Sequence, residues 1–186
     1  LADAVERDSL TGIGNRRAFD RALGALLSQG ETRCTLALID CDHFKAVNDR
    51  ASHLAGDRVL QRIAKVLTQA SRKSDLAARF GGDEFAVVFA DAGRDEAANV
   101  CERIRAAVEQ YGDDGAPAVT VSVGVAHLRP THPSLQSLIE DAQDALAAAR
   151  QAGSNCVRTT PFEVERTKRP GSGHDDRRTP RQQPRP

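Results

Sequence analysis

The fold is decided by Leu76-Ala77-Ala78-Arg79-Phe80-Gly81-Gly82-Asp83-Glu84-Phe85-Ala86-Val87-Val88-Phe89-Ala90. Two β-like runs, Leu76 to Phe80 and Phe85 to Ala90, stand either side of Gly81-Gly82-Asp83-Glu84. A Gly-Gly pair between short strands predicts a hairpin, because glycine takes positive φ freely. A hairpin puts an antiparallel pair into the sheet. Outward from it the pattern alternates. Asn15 to Gln29 carries a helical apolar stripe ended by Gly30, and Cys34 to Ile39 reads as a buried strand. Asp57 to Gln69 and Asp95 to Tyr111 read as amphipathic helices, and Val119 to Ala126 as a strand with valine at every second position. Ser134 to Ala152 is a helix with Ser134 as its N-cap and Gly153 just past its end; Cys156 to Thr160 adds a last strand. The expected class is α/β (α+β), a mixed central sheet of about five strands flanked by helices.

Composition narrows the functions. The chain has 186 residues, enough for one domain and a tail, and its 26 basic and 26 acidic side chains cancel. A neutral chain does not coat nucleic acid through bulk charge. Aromatics are 4%, with no Trp and one Tyr, which argues against a base-stacking platform. No apolar run approaches the ~18 residues of a membrane-spanning helix, and Leu1 to Glu6 is not a signal peptide. The chain lacks Met altogether and reads as one domain cut from a longer protein. Cys34, Cys41, Cys101 and Cys156 show no metal-binding spacing, so they read as small, partly buried, reduced side chains and point to the cytoplasm. Residues 161–186 hold seven Lys/Arg and five of the eight prolines, with few apolar residues, and read as a disordered basic tail.

Asp40 and Asp42 stand where the first apolar strand stops, with Lys45 close behind, and Asp83-Glu84 tip the hairpin. If these elements are neighbours, the carboxylates converge in a manner suited to a divalent cation and a polyphosphate. Read singly, they are equally well loop charges.

Further words stand in order along the chain. Asp8-Ser9-Leu10-Thr11 and Asp40-Cys41-Asp42-His43-Phe44-Lys45-Ala46-Val47-Asn48-Asp49 come first. His53, Gly56-Asp57, Arg79-Phe80-Gly81-Gly82-Asp83-Glu84-Phe85 and Val121-Ser122-Val123-Gly124-Val125-Ala126 follow. Together they resemble the GGDEF family of diguanylate cyclases over residues 8 to 157. The resemblance implies a fold similar to the polymerase palm and class III nucleotide cyclases. It implies condensation of two GTP into cyclic di-GMP with release of two pyrophosphates, in a transient homodimer whose two GTP sites face each other. The implied organisation is residues 1–8 as the end of an upstream helical linker and 8–160 as the catalytic domain.

The same resemblance implies roles by position. Asp40 and Asp83, with the Cys41 carbonyl, would hold two Mg²⁺ or Mn²⁺ per half-site. Glu84 would be a further ligand or a base, and Asp42 a supporting carboxylate. Lys45 and the backbone around His43 and Phe44 would hold the β- and γ-phosphates, with Arg150 adding a cation. Gly81 and Gly82 would keep Cβ atoms away from the phosphate. Asn48 and Asp57 would read guanine, whose adjacent N1–H and N2–H₂ donors suit a carboxylate and whose absence from adenine leaves it unpaired. Read without the resemblance, Asn48 and Asp57 are a turn residue and a helix cap. Arg72 and Asp75 match the family's RxxD inhibitory site for cyclic di-GMP, with Arg103 as its secondary arginine.

The chain also departs from the family pattern. Ser9 replaces a proline, Ser52 a glycine, which would tighten a turn, and Ser154 an arginine, which removes one phosphate contact. The loss at Ser154 keeps open a second reading, a catalytically silent domain that binds GTP or cyclic di-GMP and signals by contact.

Overall fold

In the computed structural model, which describes residues 6–28, 33–111 and 115–160, β1 (Cys34–Cys41) is the centre of the sheet. It is flanked by β2 (Leu76–Arg79), β3 (Glu84–Ala90), β4 (Val121–His127) and β5 (Val157–Thr159) in the order β2-β3-β1-β4-β5. All neighbours are antiparallel except β4 and β5, so the sheet is mixed as expected. Side chains alternate across a strand. Ala37, Ile39 and Cys41, with Phe85, Val87, Val121 and Val123, pack under α3 (His53–Ala70) and α4 (Arg94–Gln110). Leu36 and Leu38, with Ala86, Val88 and Ala126, pack under α1 (Arg16–Ser28) and α5 (Leu135–Gln151). Both faces are buried, which is why the strands read as apolar runs.

The structure corrects several boundaries. A short helix, α2 (Phe44–Arg50), follows β1 and was not expected; at seven residues it fully buries none of them and lays only Phe44 and Val47 against the core. α3 begins at His53 rather than Asp57, because the Ser52 hydroxyl accepts from Ala55 N at 3.1 Å and caps the helix. The serine in the family's glycine position is thus a cap. β4 begins at Val121, not Val119. Ser134 caps α5 in a reciprocal pair with Ser137, as anticipated. Gly153 follows the helix at φ 107, and the left-handed backbone continues through Ser154 and Asn155 at φ 64 and 47.

The hairpin is present, but not for the expected reason. Neither Gly81 nor Gly82 adopts the left-handed region. Phe80 N and Gly81 N both donate to Glu84 O, at 2.8 and 3.0 Å, and close the loop. Glycine at 81 answers a space requirement: a Cβ there would lie 2.9 Å from Glu84 Oε2.

At the N-terminal side, Arg7 bridges to Gly14. Residues 1–5 of the expected linker, Gly30 and the expected disordered tail 161–186 lie outside the described residues. Among the described residues no helix is long and apolar enough to cross a membrane.

Candidate functional site

Register builds the acidic corner. Asp40 faces Glu84 across β1 and β3, and Cys41 N donates to Asp83 O at 3.3 Å. By parity Asp40 continues the Leu36, Leu38 face, and Glu84 continues the Ala86, Val88 face. Both carboxylates therefore look toward α5, whose Arg150 donates from Nη2 to Asp40 Oδ2 at 2.5 Å and lies 3.7 Å from Glu84 Oε1. Burial pushes the Asp40 carboxyl up to about 6; Arg150 pulls it down, and the charges of Asp83 and Glu84 add to the rise. Burial, with the neighbouring carboxylates, drives the Cys41 thiol up to about 12, so at neutral pH this residue offers its carbonyl and not a thiolate. Asp42 is 6% exposed and saturated: it accepts from Thr120 Oγ1, Ser122 Oγ and Asn155 N at 2.7, 2.6 and 3.0 Å. It anchors the turn after α5 to the end of β1.

Beside this corner opens a cavity of about 330 Å³. α2 supplies Phe44, Lys45 and Asn48 to its wall, α3 supplies His53, Asp57 and Leu60, and the hairpin supplies Arg79, Gly82 and Asp83. Asn48 Oδ1 is buried there without a partner. An orphaned buried acceptor costs roughly 1–3 kcal/mol and calls for a ligand donor. The side chains of Lys45, Asp57 and Asp83 likewise make no hydrogen bond or ion pair among the described residues. Gly56 makes the room: a Cβ there would collide with Asn48 Oδ1.

The structure thus gathers Asn48, Asp57, Phe44, Lys45, Gly82 and Asp83 in one cavity, with Asp40, Cys41, Gly81 and Glu84 beside it. Arg150 stands on Asp40 and Glu84 instead of lining the cavity. A larger cavity of about 490 Å³ lies on the far side of α2, walled by Ala46, Val47, Pro117 and Val119. Its lining is mostly apolar and contains neither Asp83 nor Asn48, so the unpaired polar groups belong to the smaller one.

Two residues of this site carry a role that sequence reasoning missed. Arg79 donates from Nε and Nη2 to Gly82 O at 3.0 and 2.6 Å, and from Nη1 to both Asp8 oxygens at 3.3 Å. Asp8 is held by Thr11 N and Thr11 Oγ1 at 2.9 and 2.6 Å. One arginine therefore ties the N-terminal turn to the hairpin loop. The signal was an arginine at the last strand position before a glycine-rich loop, but its carboxylate lies 71 residues away.

A match to the family profile for the GGDEF diguanylate cyclase domain covers residues 5–156. The chain belongs to the GGDEF family. Diguanylate cyclase DgcM of Escherichia coli is 36% identical over 164 residues, covering 84% of this chain and 39% of that protein. Diguanylate cyclase A of Treponema denticola is 40% identical over 135 residues, 70% of this chain and 36% of that protein. The chain therefore spans well under half the length of these relatives. The GGDEF domain of DgcB from Caulobacter crescentus, solved in complex with c-di-GMP, superposes with a TM-score of 0.79 at 34% identity, covering 84% of this chain and 93% of that one.

In this GGDEF domain Arg72, Asp75 and Arg103 line one small crevice at the end of β3 far from the hairpin loop. Asp75 also has local duties: its carboxylate accepts from Arg72 N at 2.9 Å and Ala90 N at 3.3 Å, closing the turn between α3 and β2. Arg72 Nη2 pairs with Glu96 at 2.9 Å; the arginine is largely exposed and the glutamate half-buried.

The donor set of the acidic corner suits Mg²⁺ or Mn²⁺. Asp40 and Glu84 already share one cationic group, and their oxygens are hard ligands. Among the described residues no three His, Cys, Asp or Glu side chains stand close enough to hold a metal by themselves.

Proposed function

We propose that this domain is a diguanylate cyclase, condensing two GTP into cyclic di-GMP and two pyrophosphates where two copies of the chain face each other. The observation that carries this reading is the orphaned Asn48 Oδ1 beside the unpaired Asp57 in a cavity that opens onto Asp83. Guanine supplies the missing donors: its exocyclic amine and N1–H meet Asn48 Oδ1 and the Asp57 carboxylate. Adenine has no donor at those positions and leaves the acceptors bare, a form of discrimination stronger than any shape change. Phe44 and Leu60 flank the base.

Lys45, on the first turn of α2, meets the β- and γ-phosphates as a point charge. When bound, Mg²⁺ or Mn²⁺ held by Asp40, Asp83 and the Cys41 carbonyl would polarise the α-phosphate and acidify the attacking hydroxyl. In each half-reaction the 3′-oxygen of one nucleotide forms a bond to the α-phosphorus of the other. The bond from that phosphorus to pyrophosphate breaks, and the hydroxyl proton is lost. The two roles open to Glu84, metal ligand and acceptor of that proton, both require it ionised. Asp42, saturated by three donors, fixes the strand end.

Cyclic di-GMP at the Arg72, Asp75 and Arg103 crevice is proposed as the feedback inhibitor. Arg72 would exchange Glu96 for the O6 and N7 edge of guanine, a bidentate pairing.

The test is to incubate the 186-residue chain with GTP and Mg²⁺ and resolve the products by chromatography. Cyclic di-GMP with two equivalents of pyrophosphate supports the reading. Tight GTP binding without turnover, or another cyclic nucleotide, overturns it.

A further inference from the structure

Arg150 is the basic residue in the last turn of α5. Its position follows from Gly124. A Cβ at Gly124 would lie 2.7 Å from Leu146 Cα and collide with the Ala142 carbonyl, so α5 lies flush on β4 only because residue 124 has no side chain. Ala142, Leu146 and Arg150 are spaced by four and share one face of that helix. The close approach carries Arg150 along the sheet to the end of β1, where its guanidinium meets Asp40 at 2.5 Å and Glu84 at 3.7 Å. Asp40 is 13% exposed, whereas Arg150 and Glu84 keep 44% and 43% of their side chains in solvent, so the arginine can leave without unfolding anything.

We infer that Arg150 is the resident counterion of the metal site, and that a divalent cation must displace it from Asp40 and Glu84. This rests on the reading of Asp40 as a metal ligand. Two carboxylates facing each other across adjoining strands repel unless a cation stands between them. Without nucleotide, an arriving metal ejects Arg150 into water with nothing in exchange. With nucleotide present, the ejected guanidinium finds a phosphate. The second cation that the family pattern places after this helix is Ser154 here, so one arginine serves both positions. Metal and nucleotide therefore bind cooperatively: metal alone binds weakly, and the nucleotide restores its affinity.

The test reads metal binding and not turnover. Mn²⁺ is titrated into the full chain, followed by calorimetry and by loss of the free Mn²⁺ paramagnetic resonance signal. The titration is done alone and with 3′-deoxy-GTP, which cannot cyclise. Arg150→Gln keeps a polar side chain of similar helix propensity and removes the charge. It is expected to bind Mn²⁺ alone about fivefold more tightly than the wild type, the size of a partly exposed ion pair. Arg150→Lys keeps the charge and is expected to stay within about twofold of wild type. With 3′-deoxy-GTP the advantage of Arg150→Gln disappears or reverses. Equal Mn²⁺ affinity in wild type and Arg150→Gln without nucleotide overturns the inference, as does an Arg150→Lys variant that behaves like Arg150→Gln. Mn²⁺ binding in all three proteins no greater than that of 3′-deoxy-GTP measured without protein overturns the metal-site reading itself, and the inference with it.

Discussion

Gly56 offers a perturbation in which stability and function part company. It sits near the start of α3, where an added Cβ would collide with Asn48 Oδ1 and lie 3.1 Å from Phe44 Cζ. In Gly56→Ala two effects on stability oppose each other. Alanine favours a helix over glycine by about 1 kcal/mol. Forcing the Asn48 amide aside costs roughly 1–3 kcal/mol, the usual range for overpacking. The balance is a loss of about 0–2 kcal/mol, or a fall of up to ~8 °C in melting temperature at this size.

Nothing comparable cushions binding. To clear the new methyl, Asn48 Oδ1 must move by about 1 Å, and a misplacement of that size in a reacting site costs as much as ~100-fold. Loss of one neutral hydrogen bond alone is worth about 0.5–1.5 kcal/mol, up to roughly tenfold. The affinity for 3′-deoxy-GTP is therefore expected to fall by about 2- to 10-fold in a protein that still melts cooperatively. Calorimetric titration and circular dichroism melts read the two quantities separately. Gly24→Ala on α1 is the control, because its Cβ would meet nothing within 4 Å; it gains helix stability and leaves binding alone. Wild-type nucleotide affinity in Gly56→Ala would refute the assignment of Asn48 to the base.

Asp83→Asn is expected to abolish cyclisation while leaving the melting temperature within about 2 °C, since a hairpin loop carries little core packing; retained turnover with Mg²⁺ present removes Asp83 from the metal site. Arg72→Ala should keep chemistry and lose feedback, because only the bidentate fork grips guanine, and Arg72→Lys should weaken the site too; progress curves with added cyclic di-GMP that remain inhibited in Arg72→Ala would mean the spacing is accidental. Burial pushes the Asp8 carboxyl up, but two hydrogen bonds from Thr11 and the Arg79 guanidinium outweigh it and hold the group below its usual 3.8. A depressed carboxylate stabilises the fold above its unfolded pKa and loses that contribution as pH falls through the folded one. The urea midpoint of Asp8→Asn should therefore lie below wild type at neutral pH and converge on it as pH falls below the usual 3.8, and a constant gap down through that range would exclude the ionised pair.

What sequence could reveal was local. The hairpin, the apolar stripes and the Ser134 cap depend on residues a few positions apart, and they stand where expected. α2 escaped because it is seven residues long and sets only Phe44 and Val47 against the core, too few positions to show a helical period. The start of α3 differs because Ser52, which reads as a tighter turn in a glycine position, is a serine before a helical run and caps it. Gly81 reads both as a turn residue and as room for a phosphate; the side chain that a Cβ there would meet is that of Glu84. Gly56 and Gly124 look like any helical or strand glycine until Asn48 and the α5 backbone are placed against them. Close approach is a tertiary fact, and no local pattern encodes it.

The candidate site divides along the same line. The family words name Asn48, Asp57 and Asp83, and the fold brings them to one cavity. Half of the placement of Arg150 was also within reach. Parity puts Asp40 in phase with Leu36 and Leu38, and Glu84 in phase with Ala86 and Val88, so both carboxylates belong to one face of the sheet. What parity cannot say is which helix covers that face. That follows from strand order: β4 sits beside β1, and α5, which follows β4, folds back over it through Gly124. Once α5 is placed, spacing by four from Leu146 brings Arg150 to the acidic pair without further assumption. The cation nearest the reacting corner is thus set by a glycine 26 residues before it in the chain. A change at Gly124 should therefore alter metal and nucleotide binding although it touches neither.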